Sequence, residues 1–167
     1  DENLILCDSF AIFEYLEEKY TLFPLLPKSI ELRAESRRLC SWFDNKFHKE
    51  VTEKILYERV YKKVMKIGYP NSEKIKSGIK SLKFHLDYLN WILEKRKWLA
   101  CDVLTISDFT AAAHLSSLDY INDIQWQDFP YLKDWYSKIK SRPTFRPILT
   151  DLLAGFIPPE HYNDLDF

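Results

Sequence analysis

Apolar residues recur along most of this chain at helical spacing, and they predict an almost wholly helical protein. The clearest repeat has steps of four and three: Ile75, Ile79, Leu82, Leu86, Leu89 and Leu93. A second stripe has steps of four or seven: Leu32, Leu39, Phe43, Phe47, Val51 and Ile55. Such steps place all members of a stripe on one helix face. We therefore expect two long helices packed in bundle style, the first from an N-cap at Ser29 to about Lys66.

Shorter helices are predicted on either side of this pair. Asp8 and Ser9 are suited to open the first helix. Thr105 and Asp108 have the spacing of a capping box, in which each side chain accepts from the other's backbone amide. The helix behind this cap contains three consecutive alanines, which suit a central helix closely surrounded by others. A last full helix is predicted to begin near Pro130.

The segment Leu4-Ile5-Leu6-Cys7 is the exception, because it reads as a short buried strand. One strand cannot satisfy its own backbone groups, and no second strand is evident in the sequence. We therefore expect its partners to lie upstream of residue 1. The predicted organisation is a remnant over 1–20, a linker over 21–28 whose apolar residues pack down, a helical domain over 29–154 and an irregular tail over 155–167.

Composition excludes several classes of protein. An apolar fraction of 46% with 16% aromatic residues is incompatible with a disordered chain. No apolar run approaches the roughly 18 residues of a membrane span, so no membrane partner is expected. Net charge is −1, but residues 31–100 carry 17 basic and 9 acidic groups. Solvated helix faces explain this excess better than an acidic partner does, and without an aromatic-studded basic stripe no nucleic acid is expected.

The sequence gives little support for a metal site or for a catalytic nucleophile. The four histidines are scattered with no ligand spacing, so no metal site is predicted, and His85 and His114 are expected to be buried and hydrogen-bonded. No Ser-His-Asp arrangement can be identified, and no catalytic residue is assigned. Three widely spaced cysteines indicate a reducing compartment, and we expect a cytoplasmic protein.

The strongest local candidate for a ligand site is Asp8-Ser9, directly after the predicted strand. Free amides, a hydroxyl and a carboxylate at a helix N-terminus can bind an amino-acid head group. Ser9 would donate to a ligand carboxylate, and Asp8 would accept from a ligand ammonium. The alternative is that one of the two residues only caps the helix.

Three segments resemble glutathione S-transferases. Asp8-Ser-Phe-Ala-Ile-Phe-Glu-Tyr-Leu is similar to the segment in which an acid-Ser pair opens a helix. Trp98-Leu-Ala-Cys-Asp-Val-Leu-Thr-Ile-Ser-Asp resembles the capping motif of the family's helical domain, with Cys101 where Gly is usual and Ser107 where Ala is usual. Ser141-Arg142-Pro143 with Phe145 resembles the closing helix. The order and spacing of all three fit over essentially the whole chain.

This resemblance implies an all-α transferase C-terminal bundle that carries the last strand and helix of a thioredoxin-like domain. It also implies that Asp8 and Ser9 bind the glutamyl end of glutathione as cosubstrate, and that two complete copies pair as a homodimer. The family's catalytic residue has no counterpart here, so whether the chain is an enzyme stays open. Trp42, Tyr57 and Tyr61 are candidates to line a pocket for a small electrophile, although packing is the role more expected of them.

The tail carries a second resemblance, through Gly155-Phe-Ile-Pro-Pro and His161-Tyr162. It is similar to the C-terminal end of a transferase-like cell-division family of alphaproteobacteria, which implies FtsZ as a partner and a scaffold role without catalysis. The candidate contacts are Arg142, Tyr162, Asp164, Leu165 and Phe167. A Pro-stiffened segment with aromatic residues among acids suits docking. The alternative is a tail that folds back over its own core.

Overall fold

A computed structural model of the chain describes residues 4–165 and 167. The first three residues of the predicted remnant, and Asp166 in the predicted tail, lie outside the described residues. The all-α fold class is confirmed, since no described residue forms a strand. The helices are α1 (Ser9–Lys19), α2 (Ile30–Ser41, continuing without a break through Trp42–Thr52, Glu53–Leu56, Tyr57–Tyr61 and Lys62–Met65), α3 (Ser72–Lys95), α4 (Ile106–Tyr120), α5 (Pro130–Lys140) and α6 (Arg146–Leu149).

The N-terminal segment differs from the prediction in two respects. Residues 4–7 form no strand, because the described chain offers no second strand to complete a hydrogen-bond ladder. The linker packs only in part: Leu26 is buried, whereas Leu22 and Phe23 are exposed. The prediction that all its apolar residues pack down is wrong for these two side chains, which lie on the N-terminal side of Pro24 and reach no part of the core.

Helix α2 has the predicted extent but contains π-helical turns at Trp42–Thr52 and Tyr57–Tyr61. Five of its core residues follow one another at steps of four and are fully buried: Leu39, Phe43, Phe47, Val51 and Ile55. In a regular α-helix each step of four turns the side chain about 40° away from the last, so such a row drifts off the core. The wider π turns reduce that drift and keep the row buried. The helix ends at Lys66 in a left-handed conformation, with φ 56°.

Helices α2 and α3 cross closely at Gly78. A Cβ atom built there would lie 2.7 Å from Ile55 Cγ1, so only glycine permits this approach. The leucines of α3 beyond this point are buried as predicted, at positions 82, 86, 89 and 93. Ile79, a predicted member of the stripe, is instead 41% exposed. Gly78 takes the core-facing position at the crossing, and the residue after it therefore points outward.

Helix α4 is the central element, and its cap organises the residues around it. Thr105 and Asp108 form the capping box, with Thr105 N donating to Asp108 Oδ2 at 2.9 Å. Asp108 Oδ1 also accepts from Leu99 N and from Trp135 Nε1, both at 2.9 Å. One buried carboxylate therefore joins the cap of α4, the preceding loop and α5. Burial raises the pKa of Asp108, although these donors oppose that effect.

Candidate functional site

The predicted ligand pair lies at the start of α1. Asp8 Oδ1 accepts from Phe10 N at 2.9 Å and from Ala11 N at 3.0 Å, so Asp8 is the N-cap of the helix. Its backbone adopts φ 76°, a left-handed conformation that costs energy in a residue other than glycine. Ser9 is exposed at the first helical position. The arrangement directs the helix N-terminus and the Ser9 hydroxyl toward solvent, as an anion site at a helix end requires.

A groove of about 720 Å³ runs between α2, α4 and the chain that follows α6. Its α2 wall includes Tyr57 and Tyr61, whose rings stack with centroids 5.2 Å apart. Its lining also includes Ala113 and Ser117 of α4. The lining is mainly apolar, which suits an uncharged or aromatic occupant. Of the three predicted pocket residues, Trp42 is not in the groove: its ring packs at 4.7 Å from His85 and 4.9 Å from Phe43.

The tail folds back onto the bundle. Tyr162 is only 3% exposed, its hydroxyl lies 2.9 Å from Ser116 Oγ and its ring meets Tyr120 edge-on at 5.1 Å. The Phe167 ring packs against Trp126 at 5.3 Å and against Tyr136 at 6.1 Å. Two of the predicted partner contacts are therefore held against the protein's own core.

The other predicted contacts are more accessible. Asp164 is exposed in the turn after the 3₁₀ segment Glu160–Tyr162, and Leu165 is partly buried against the core. Arg142 is exposed at the end of α5, with its guanidinium 5.8 Å above the Phe109 ring. The charged side chains of Arg142 and Asp164 are thus exposed, whereas the aromatic rings of Tyr162 and Phe167 pack against the bundle.

The histidines take structural positions. His85 is fully buried and its Nε2 lies 2.9 Å from Glu50 Oε2, and His114 Nε2 lies 3.3 Å from Asp44 Oδ1. Burial lowers the pKa of both rings. Among residues 4–165 and 167, no group of three or more His, Cys, Asp or Glu side chains is arranged to hold a metal ion. Within the same residues, every helix is too short or too polar to cross a membrane.

Two buried charged residues that contact the tail were not predicted from the sequence: Asp119 of α4 and Lys140 of α5. Both are fully buried. Lys140 Nζ donates to the His161 carbonyl at 2.8 Å, and Asp119 Oδ1 accepts from Trp126 Nε1 at 2.7 Å and from His161 Nε2 at 2.8 Å. A signal was available, since Lys140 follows Leu132 and Tyr136 at steps of four on the apolar face of α5. A charge at such a position indicates a buried polar contact.

Comparison with known proteins relates the chain to one family. Residues 58–147 match the model described as "Glutathione S-transferase, C-terminal domain". The chain is 46% identical over 165 residues to "FtsZ-localized protein A" of Caulobacter vibrioides (strain NA1000 / CB15N), which covers 99% of this chain and 72% of that relative.

Two solved structures superpose closely on this chain. A glutathione S-transferase from Rhodospirillum rubrum F11 superposes with a TM-score of 0.94 at 48% identity, over 99% of this chain and 74% of that one. FzlA from C. crescentus superposes with a TM-score of 0.95 at 46% identity, over 98% of this chain and 73% of that one.

Proposed function

We propose that this chain, which belongs to the glutathione S-transferase family, acts in bacterial cell division by binding FtsZ. The observation that carries the proposal is the 46% identity to a protein named for its localisation with FtsZ. That identity extends over 99% of the chain, so it includes the tail as well as the bundle. The proposed partner also places the protein in the cytoplasm.

The contact surface that we propose is charged and lies beside the tail. Arg142 and Asp164 are exposed, and neither contributes to the apolar core. Charged groups at the rim of an interface set the orientation and rate of association, so reversing one of them changes binding without unfolding the protein.

Cosedimentation with FtsZ filaments tests this function. The parent chain should pellet with filaments assembled in GTP, and Asp164→Lys should lose most of that binding. Asp102→Lys is the matched control, because Asp102 is also an exposed loop aspartate but lies before α4. A parent chain that stays in the supernatant would contradict the proposal, as would equal losses in the two variants.

Glutathione binding is a second candidate, favoured by the geometry at Asp8 and Ser9. The left-handed backbone of Asp8 leaves the exposed Ser9 hydroxyl at the start of α1, where it can donate to the carboxylate of the glutamyl group. The apolar groove beside Tyr57 and Tyr61 would then take a small electrophile. The described residues include no assigned activator for the glutathione thiol, whose pKa would otherwise stay near that of free cysteine, so we expect binding without measurable conjugation.

Retention on a glutathione resin tests this candidate. Ser9→Ala should reduce retention, whereas Ser72→Ala should not. Ser72 is a matched control because it too is exposed at the first position of a helix, directly after the N-cap Asn71. Equal retention of the parent and both variants would show that Ser9 takes no part in binding.

Pairing of two copies is the third part of the proposal. An aromatic stripe on α3 is formed by Phe84, Tyr88 and Trp91: Tyr88 is partly buried against the core, whereas Phe84 and Trp91 are 66% and 51% exposed. Large aromatic side chains on one helix face are typical of the centre of a protein interface. Light scattering should therefore give the mass of a dimer for the parent and of a monomer for Trp91→Glu, with Ile157→Glu on the tail as the control.

A further inference from the structure

Two aromatic anchors hold the tail at either end of a short exposed turn. Tyr162 is fixed at one end by the Ser116 hydroxyl and the Tyr120 ring. Phe167 is fixed at the other end, where its ring also stacks on His161 with centroids 5.4 Å apart. Asn163 and Asp164 lie between the anchors and are exposed. Anchoring on both sides limits the freedom of Asn163 and Asp164, so their placement beside the bundle is restricted.

Lys140 joins the two anchors. Its ammonium donates to the His161 carbonyl at 2.8 Å, next to the first anchor, and lies 3.9 Å from the centroid of the Phe167 ring. A cation over an aromatic face is attracted more strongly when it is desolvated than when it lies at the surface. The side chain is fully buried, so this contact is specific rather than a passing surface interaction.

Asp119 completes the arrangement through two further hydrogen bonds. Its Oδ1 atom accepts from the His161 ring and from the Trp126 indole, which orients the two rings that flank Phe167. We name the set Asp119, Trp126, Tyr136 and Lys140 the tail clamp. A fully buried lysine and aspartate are costly in a helical bundle, and simple core packing does not require them. Both residues form hydrogen bonds to His161, which belongs to the tail, so they attach the tail to the bundle.

We propose that the tail clamp holds the tail in the conformation that presents Asn163 and Asp164 to FtsZ, which makes Lys140, Tyr162 and Phe167 positioning residues rather than contacts. This inference rests on the proposed function and divides the roles among the tail residues. Asp164 acts at the interface. The aromatic residues on either side of it act through its placement.

The test combines hydrogen exchange of the tail with FtsZ cosedimentation, on the full chain. Phe167→Ala should raise amide exchange over residues 160–165 by about tenfold or more, since the second anchor no longer suppresses local opening. The same variant should weaken cosedimentation by about tenfold, because the turn is then rarely in the competent conformation. Lys140→Met, which keeps the length of the side chain without its charge, should change both measurements in the same direction. Asp164→Asn, which removes the carboxylate charge without placing a cation near Lys140, should lose most of the cosedimentation while exchange stays slow.

Control variants keep the outcomes distinct. Phe167→Tyr preserves the ring and should restore both slow exchange and binding. Fast exchange with undiminished binding in Phe167→Ala would overturn the proposal, and so would unchanged exchange in that variant. If the parent chain fails to cosediment, the proposed function and the presenting role both fall. Amide exchange over residues 160–165 in Phe167→Ala and Lys140→Met would in that case still show whether the tail clamp fixes the tail.

Discussion

The N-terminal segment (residues 4–23) and the tail are both short, aromatic-rich pieces attached to the same bundle, yet only the tail is anchored in the core. Helix α1 has no buried residue, and Ile5 and Phe23 are 90% and 89% exposed. The tail buries Tyr162 and packs Phe167 against the clamp. Apolar content does not distinguish the two segments. The difference is that the bundle offers the tail matched rings and buried hydrogen-bond partners, whereas it holds the N-terminal segment through polar contacts and partial burial of a few side chains.

Those polar contacts are few but well formed. Glu14 receives two hydrogen bonds from Arg37 of α2, at 2.8 and 2.9 Å. Glu17 accepts from the backbone amides of Leu25 and Leu26 at 3.0 and 2.9 Å. They orient α1 on α2 without removing its apolar face from water, so they contribute far less stability than burial does.

The largest effect expected from this comparison is at Tyr162. Tyr162→Ala removes a buried ring and leaves a cavity beside Tyr120, which should cost about 3–4 kcal/mol of unfolding free energy. Urea unfolding followed by Trp fluorescence measures it. Tyr162→Phe, which loses only the bond to Ser116, should cost about 1 kcal/mol. A loss below about 1 kcal/mol in Tyr162→Ala would show that the tail is no better anchored than α1.

A second prediction uses the charge on Lys140. Burial lowers its pKa from 10.5 to about 8, against the opposing attraction of Asp119 and Asp164. The other groups facing it are the His161 carbonyl and the Tyr136 ring, with Lys133 also over the Phe167 ring. Between these two pKa values the unfolded chain binds more protons than the folded one, so folding stability rises with pH.

The measurable consequence is a difference between two chains. From pH 7.5 to pH 9, the parent should gain about 1 kcal/mol of unfolding free energy relative to Lys140→Met. The other titrating groups are common to both chains and cancel in the difference. Parallel pH profiles for the two chains would show that Lys140 is not desolvated and that the tail is only loosely placed.

A smaller effect is expected where α1 meets α2. Glu14→Ala removes the pair with Arg37, and since both side chains are partly solvated the cost should be about 0.5 kcal/mol. The hydrogen bonds from Arg37 lower the pKa of Glu14, so this contribution exists above the ordinary carboxyl pKa and disappears as pH falls. Glu18→Ala, an exposed neighbour, serves as the control in the same urea titration. A cost above about 2 kcal/mol would mean that α1 is integral to the bundle.

The bundle could be predicted from the sequence because its information is local and periodic. The leucines of α3 and the Thr105–Asp108 cap follow from spacing alone. The π turns of α2 were missed, although its strict four-residue row from Leu39 to Ile55 is the pattern that such turns accommodate. Gly78 was missed because a close helix crossing is a property of two helices together, and no single stripe contains it.

The tail was the least predictable part for a related reason. Its position depends on Lys140 and Asp119, which lie 21 and 42 residues before His161 in the chain. Their charges look like ordinary surface residues until each is placed on the core-facing side of its helix. The resemblance located the tail as a candidate for docking, but the burial of Tyr162 needed coordinates. The periodicity of apolar residues therefore predicts the helices. The attachment of the tail depends instead on buried polar contacts between residues far apart in the sequence.

The smallest expected effect is on the exposed apolar face of the N-terminal segment. Replacing Ile5 and Phe23 together by serine should leave the unfolding free energy within about 0.5 kcal/mol, because neither side chain is removed from water on folding. The same double variant should bind less of the fluorescent probe ANS, since exposed apolar patches are what that dye reports. Leu39→Ser, at a fully buried position of α2, supplies the contrast and should lose about 3 kcal/mol or more. A double variant that loses as much as Leu39→Ser would show that the N-terminal segment packs in solution, and the difference between the two ends of the chain would disappear.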